Sequence, residues 1–439
     1  MRIALQRIEE LEKKESEKNQ IINGLKQELA RYKNSNTPSS ANKHLKPDTQ
    51  GNKFKSNNKR GAPIGHIGKT RDQTPQRKEI IDTDECPFCH GHRLTDDKII
   101  KQVVEEVQEP EPPEVVENEI HKKKCLDCNK TFIPPQNKTP LEGSFGVNLM
   151  VMVVIIKFLL RGVLRKTARF LETSHSFTIT PAALNEIIAR AAKAAEPEYE
   201  EIKIRIRNAL KVYVDETSFS VLGKNWWLWV FRTENDILYV IRPSRGSNVL
   251  EEILGKEYSG TVICDCWRAY NFLESALLQR CWSHLLRKSK ELLSVPGKNM
   301  HNKLQKLFEE IKKFNSKIHT AEQRLEKYDE MTSKLEDIVI YYSGYDEYPE
   351  LEPVVKYINF NLENWFTCVK VEGIEPTNNF AEQAIREPVM VRKIIGAFRS
   401  ETGKENYEQL ASVIASWQLR GLDLKKELQG MLIKNLCLS

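Results

Sequence analysis

Three acidic residues, widely separated in a chain of 439, have the type and setting that phosphodiester chemistry needs. Asp215 lies in Lys211-Val212-Tyr213-Val214-Asp215-Glu216-Thr217-Ser218-Phe219, whose β-branched and aromatic content predicts a strand. A carboxylate on such a strand is costly to bury unless something cationic meets it. Asp265 closes Gly260-Thr261-Val262-Ile263-Cys264-Asp265, and Glu382 lies within Thr377-Asn378-Asn379-Phe380-Ala381-Glu382-Gln383-Ala384-Ile385-Arg386. Three acids from two strands and a helix suit a divalent metal, Mg2+ or Mn2+. On a helix starting near Thr377, Asn378, Glu382 and Arg386 follow at i, i+4 and i+8 and share one face. Glu375 lies before that helix, and this segment alone leaves open which of the two glutamates is used.

A second chemistry is written in Cys86-Pro87-Phe88-Cys89 and Cys125-Leu126-Asp127-Cys128. Cys86, Cys89, Cys125 and Cys128 supply the four soft thiolates that structural Zn2+ prefers. The 35 residues between the pairs exceed the usual ribbon spacing. Residues 99–107 and 114–121 read as strands joined by an acidic, proline-containing turn, so a zinc ribbon with a long hairpin is expected. A redox dithiol is the alternative, but it lacks the βαβ setting of that motif.

The elements that must position the acids follow from the pattern between them. After the Asp215 strand, 225–232 and 237–242 read as two more strands, giving a three-stranded meander. Residues 247–254 read as helix, 261–265 as a fourth strand, 268–278 as helix, 280–282 as a short fifth strand and 284–293 as helix. Three antiparallel strands followed by alternating helices and strands is the ribonuclease H-like order, in which the first and fourth strands are neighbours. Asp215 and Asp265 would then meet. Cys264 and Cys266 flank Asp265, so on a continuing strand both would point away from its face. Trp227 and Trp229 share one strand face and suit core packing better than base stacking, and Cys281 and His284 suit a buried thiol and a helix-start histidine, touching DNA or the active centre, better than a second metal site. Residues 298–346 carry apolar residues at helical spacing among many Lys and Glu, which predicts an inserted pair of antiparallel helices.

Towards the amino terminus, Met1, Ile8, Ile22 and Leu29 with Ala4, Leu11, Leu25 and Tyr32 fit a heptad, and a dimerising coiled coil is expected there. Between Ala41 and Glu79 stand ten Lys or Arg against three acids, a disordered basic stretch suited to DNA phosphates. Lys59, Arg60, Lys69 and Arg71 bracket its turn-rich centre. The net charge of +6 is too small to identify a nucleic-acid partner by itself. Nine cysteines, four of them in CxxC pairs, exclude a secreted disulfide scaffold. The strongest apolar run, 149–160, is shorter than the ~20 residues of a membrane span and contains Lys157, so no membrane partner is expected. Residues 149–164, 167–173 and 181–195 read as helices, and the last two admit a DNA-reading helix-turn-helix.

Taken together, Asp215-Glu216-Thr217, Asp265-Cys266-Trp267-Arg268-Ala269-Tyr270, Cys281-Trp282-Ser283-His284-Leu285-Leu286-Arg287-Lys288, Asn378 through Arg386, and Arg392-Lys393 through Arg399-Ser400-Glu401-Thr402-Gly403 form an ordered set. With 61–71 and the paired CxxC, the chain resembles a DDE transposase of insertion sequence family sixty-six nearly end to end. Cys266 stands where that family usually has glycine, and Gln383 where it usually has arginine. The resemblance implies a multidomain α/β protein whose ribonuclease H-like catalytic core carries a helical insertion. The expected order is a coiled-coil helix over 1–33, basic linker over 34–80, zinc ribbon over 81–135 and a helical DNA-binding region over 136–208. The core would span 209–296 and 361–420 around an insertion at 297–360, with a tail over 421–439.

The implied activity is binding of terminal inverted repeats followed by metal-dependent strand cleavage and strand transfer. Asp215, Asp265 and Glu382 would bind the catalytic metal, and His284, Arg287, Lys288, Asn378, Asn379, Arg386, Arg392, Lys393 and Arg399 would meet DNA. Double-stranded DNA, a second copy of the chain and accessory proteins of the same element are the expected partners, in the cytoplasm at the nucleoid. A ribonuclease H-like nuclease without transposition and a non-catalytic DNA-binding protein are the alternatives.

Overall fold

The computed structural model of the protein describes residues 74–107, 109–134 and 139–437, and Lys18 and Ile22 besides. The rest of the coiled-coil stretch, and Lys59, Arg60, Lys69 and Arg71 of the basic linker, lie outside the described residues.

A five-stranded mixed sheet organises the chain, formed by β3 (Lys211–Val221), β4 (Lys224–Arg232), β5 (Ile237–Arg242), β6 (Thr261–Cys264) and β7 (Leu277–Arg280) in the order β5-β4-β3-β6-β7. The two turns of the β3-β4-β5 meander set their pairs antiparallel, whereas β6 and β7 run parallel to β3. Tyr213 pairs with Ile263, so the chain carries Asp215 and Asp265 two residues beyond that pair, Asp215 still on β3 and Asp265 just past the end of β6.

Both faces are covered, which explains the near-continuous apolar content of the central strands. Val212 and Val214, with Trp229, Phe231 and Cys264, pack beneath the helices Val147–Phe158 and Pro181–Arg207. Tyr213, Phe219, Leu228 and Ile263 face a second core built with the helices Trp282–Lys290, Val295–Asn315 and Ala321–Ser343. Asp215, odd-numbered like Tyr213, belongs to this second face, and Glu216 to the first.

The β5 edge is closed by side chains. Ile237, Tyr239 and Ile241 donate their N–H groups to Ser416 Oγ, Ser412 Oγ and Glu408 Oε1 at 2.9, 2.8 and 2.7 Å. Those acceptors follow at i, i+4 and i+8 on the helix Glu401–Leu419, so one helical row satisfies every other amide of the strand.

Several expectations need correction. Residues 99–107 and 114–121 form no strand; among the described residues the only strand pairing near the cysteines is β1 (Lys123–Lys124) with β2 (Thr131–Phe132). Among the described residues no sheet or helix buries the exposed valines of that interval. The third helix of the 136–208 region does not stop near Ala195 but continues through Pro197 to Arg207, because Tyr199, Ile202 and Ile206 prolong its buried stripe. Only Arg268–Phe272 of the helix expected over 268–278 forms, as a 3-10 turn, and the fifth strand is Leu277–Arg280 rather than 280–282. Because β6 ends at Cys264, the period of two fails beyond it. Cys266 packs with the second core, on the side of Asp265, while Cys264 lies in the first. Among the described residues no helix is long and apolar enough to cross a membrane.

Candidate active site

Asp215 enters the site from the middle of β3, and its Oδ1 accepts the N–H of Glu216 at 2.9 Å. Asp265 enters just past the end of β6, where its Oδ1 accepts the N–H of Trp267 at 2.8 Å and caps the turn that leaves the strand. Behind it the fully buried Arg280 donates to the Asp265 carbonyl at 2.6 Å and to Asn361 Oδ1 at 2.8 Å, which fixes the backbone there. Burial, followed by the neighbouring charges of Glu216 and Asp265, pushes the Asp215 carboxyl up to about 8; Glu382 adds to the effect. Asp215 is thus a buried acid whose neighbouring charges are acidic, which favours its protonated form.

Glu382 enters from the first turn of the helix Asn379–Ile395. Asn378 precedes that helix and leaves its amides uncapped, because its side-chain amide instead donates to the Val214 carbonyl at 2.7 Å. The helix start is thereby fastened to the strand that carries Asp215. Glu382 does not gather with the two aspartates into one tight group. Its Oε1 stands 3.6 Å from His284 Nδ1, its Oε2 3.8 Å from Arg287 Nη2, and Cys281 Sγ completes a cluster with ligand atoms within 4.8 Å of one another. Cys281 and His284, read from the sequence as a buried thiol and a helix-start histidine near DNA or the active centre, stand beside Glu382. Glu375 is set apart by its pairing with Lys211 at 3.5 Å.

The surrounding cations differ in exposure. Arg392 Nη1 donates to Thr217 Oγ1 at 3.1 Å and to the Ser218 carbonyl, so it ties the Glu382 helix to β3. Arg287, Arg386, Lys393 and Arg399 are exposed, as is Asn379, and Lys288 is half-buried above the Tyr357 ring. Trp229 is fully buried, and Trp227 lies against the Arg245 guanidinium, so neither stands free to stack on a base.

In the amino-terminal part, the thiols of Cys86 and Cys125 are each drawn below the usual cysteine value by N–H groups of their own knuckle and by the second cysteine of the pair. Each turn is closed by main-chain bonds, Cys86 N–H to the Gly91 carbonyl at 3.0 Å and Cys125 N–H to the Lys130 carbonyl at 2.8 Å. Among the described residues the four sulfurs do not form one group within 4.8 Å.

These positions can be set against known proteins. The family description "Transposase IS66 family" matches residues 142–406, which includes both aspartates, Glu382 and every strand of the sheet. The chain belongs to the IS66 transposase family. The match leaves the cysteine knuckles outside it. An uncharacterized protein, y4hP of Sinorhizobium fredii (strain NBRC 101917 / NGR234), is 23% identical over 393 residues, which span 80% of this chain and 70% of its own length.

Within this IS66-family chain, sequence reasoning missed the partners of Glu216. Its carboxylate is buried and accepts from Arg245 Nε at 2.9 Å and from the Tyr270 hydroxyl at 2.6 Å, while the Arg245 guanidinium lies over the rings of Trp227 and Trp267. The signal was available: an acid adjacent to Asp215 on a buried strand must face the opposite core and needs its own cation there.

Proposed function

We propose that this IS66-family chain is a DDE-type transposase with a ribonuclease H-like core, which binds the terminal inverted repeats of its element and catalyses strand cleavage and strand transfer. The observation that carries the reading is Asp215 on β3 with Asp265 beside it, just past the end of the adjacent parallel strand β6, and an acidic helix start tied to β3.

Asp215, Asp265 and Glu382 would hold Mg2+ or Mn2+, and the uncompensated acidity around Asp215 fits hard oxygen ligation. When bound, such ions activate a water or 3′-hydroxyl and stabilise the departing oxygen. The chain itself supplies position. The Glu216 and Trp267 amides fix one oxygen of each aspartate, Arg280 stiffens the turn behind Asp265, and Asn378 and Arg392 moor the Glu382 helix to β3. Arg287, Lys288, Arg386, Lys393 and Arg399 would offer cations to phosphates, and Asn379 an amide. Cys86, Cys89, Cys125 and Cys128 would hold Zn2+, a role that the lowered thiols of both knuckles support.

Joining of a pre-cleaved element end to a plasmid tests the reading against a plain nuclease. The full chain with Mg2+ should cut and join. Asp215→Asn and Asp265→Asn should retain end binding and lose both steps, and cutting without joining would favour the nuclease.

A further inference from the structure

The cluster beside the aspartates has a donor set that magnesium does not prefer. Cys281 precedes the helix Trp282–Lys290 and His284 lies in its first turn, a spacing of three that puts both on one side of the helix start. Glu382 reaches them from the start of the helix Asn379–Ile395. The two helix starts are locked together by a main-chain bond, Trp282 N–H to the Pro376 carbonyl at 3.0 Å, and by the Asn378 N–H, which donates to the Cys281 side-chain Sγ at 3.2 Å. Yet His284 Nδ1 and Glu382 Oε1 are both shut off from solvent with no hydrogen-bond partner, and so is Oδ1 of the fully buried Asn378. Native structures rarely leave several polar atoms in one place unsatisfied.

We infer that Cys281 Sγ, His284 Nδ1 and Glu382 Oε1 form a second metal site, one for an ion of the zinc class. One sulfur, one nitrogen and one oxygen ligand match the three-ligand zinc sites that keep a fourth position for water, and they suit Mg2+ poorly. Arg287 engages the other carboxylate oxygen, Oε2, and leaves Oε1 to the ion. Binding releases the Cys281 thiol proton to solvent and leaves His284 as neutral imidazole, with no change of oxidation state. A consequence, which rests on the transposase reading, is regulatory: an ion here takes up the carboxylate that the aspartates would share, so zinc opposes magnesium-dependent cleavage.

Zinc content per chain, measured by equilibrium dialysis on the full-length protein, tests the site, with Co2+ as a spectroscopic stand-in for thiolate ligation. Cys281→Ala should bind one zinc fewer than the wild type and lose its share of thiolate-to-cobalt absorption, whereas Cys368→Ala, a buried cysteine outside the cluster, should bind as the wild type does. Should removal of the Cys281 sulfur disturb folding, His284→Gln removes a ligand that is 28% exposed and should also lose one ion. Equal zinc content in the wild type, Cys281→Ala and His284→Gln would overturn the site. In the cleavage assay, zinc should slow the wild type at least about tenfold, and the ratio of rates with and without zinc should move towards one in Cys281→Ala. Wild-type cleavage indifferent to bound zinc would remove the regulatory role. A chain that binds the extra zinc but cuts under no metal would sink the transposase reading and leave the site standing.

Discussion

Asp215 and Glu216 are neighbours on one strand and face opposite cores, and their surroundings differ in kind. Glu216 has Arg245 and Tyr270 within hydrogen-bond reach, and its guanidinium partner lies against two indole rings. Asp215 has a main-chain amide and otherwise other acids. Burial raises both carboxyls, but only Glu216 has a resident cation to offset it. The contrast separates an acid paired within the fold from one whose charged neighbours are other acids, although composition treats them alike.

The sharpest way to break that contrast is by activity. Asp215→Asn should lower strand cleavage by on the order of a thousandfold, about 4 kcal/mol of barrier, with end binding retained. Cleavage within tenfold of wild type would remove Asp215 from the chemistry.

On the other face the expected loss is of stability. Glu216→Ala strands Arg245 and the Tyr270 hydroxyl and should destabilise the fold by about 3 kcal/mol in urea unfolding. A change below about 0.5 kcal/mol would mean that the pair contributes nothing net.

Asp215→Asn should have the opposite sign in the same experiment. With the folded-state pKa raised to about 8, the native chain retains a proton that the unfolded chain gives up at lower pH. The contribution of the protonated form is therefore complete below the ordinary carboxylate value of about 4 and is lost as pH rises towards 8. In metal-free buffer the wild type should lose stability across that window. Asp215→Asn should flatten the profile and stabilise the protein by about 2 kcal/mol at pH 8, an advantage that Mg2+ should narrow by raising the wild type. Parallel pH profiles would show that Asp215 is not strained.

The smallest effect is expected at Asn378, which belongs to neither acid. Asn378→Ala removes the bond to the Val214 carbonyl and should cost about 1 kcal/mol, with a fall in cleavage if the mooring of the Glu382 helix matters.

Much of this was legible in the sequence because it depends on local pattern. The alternation in 211–219 and the meander after it placed Asp215 correctly, and the order of elements set β3 beside β6. What failed depended on where a pattern stops. Nothing in Thr261-Val262-Ile263-Cys264-Asp265-Cys266 marks the strand end, yet that end decides which core receives Cys266. Pro197 reads as a breaker, but a buried stripe on both sides carries the helix through it. The closeness of Glu382 to Cys281 and His284 was hidden for another reason: about a hundred residues separate them, and only tertiary packing joins two helix starts.

The row Glu408, Ser412 and Ser416 has one more implication. With the outward amides of β5 already engaged, that margin of the sheet offers no template for a strand from another molecule. Any association between copies of the chain must therefore use other surfaces. Loss of the chain beyond residue 400 would uncover three bare donors at once, turning a closed rim into an adhesive one.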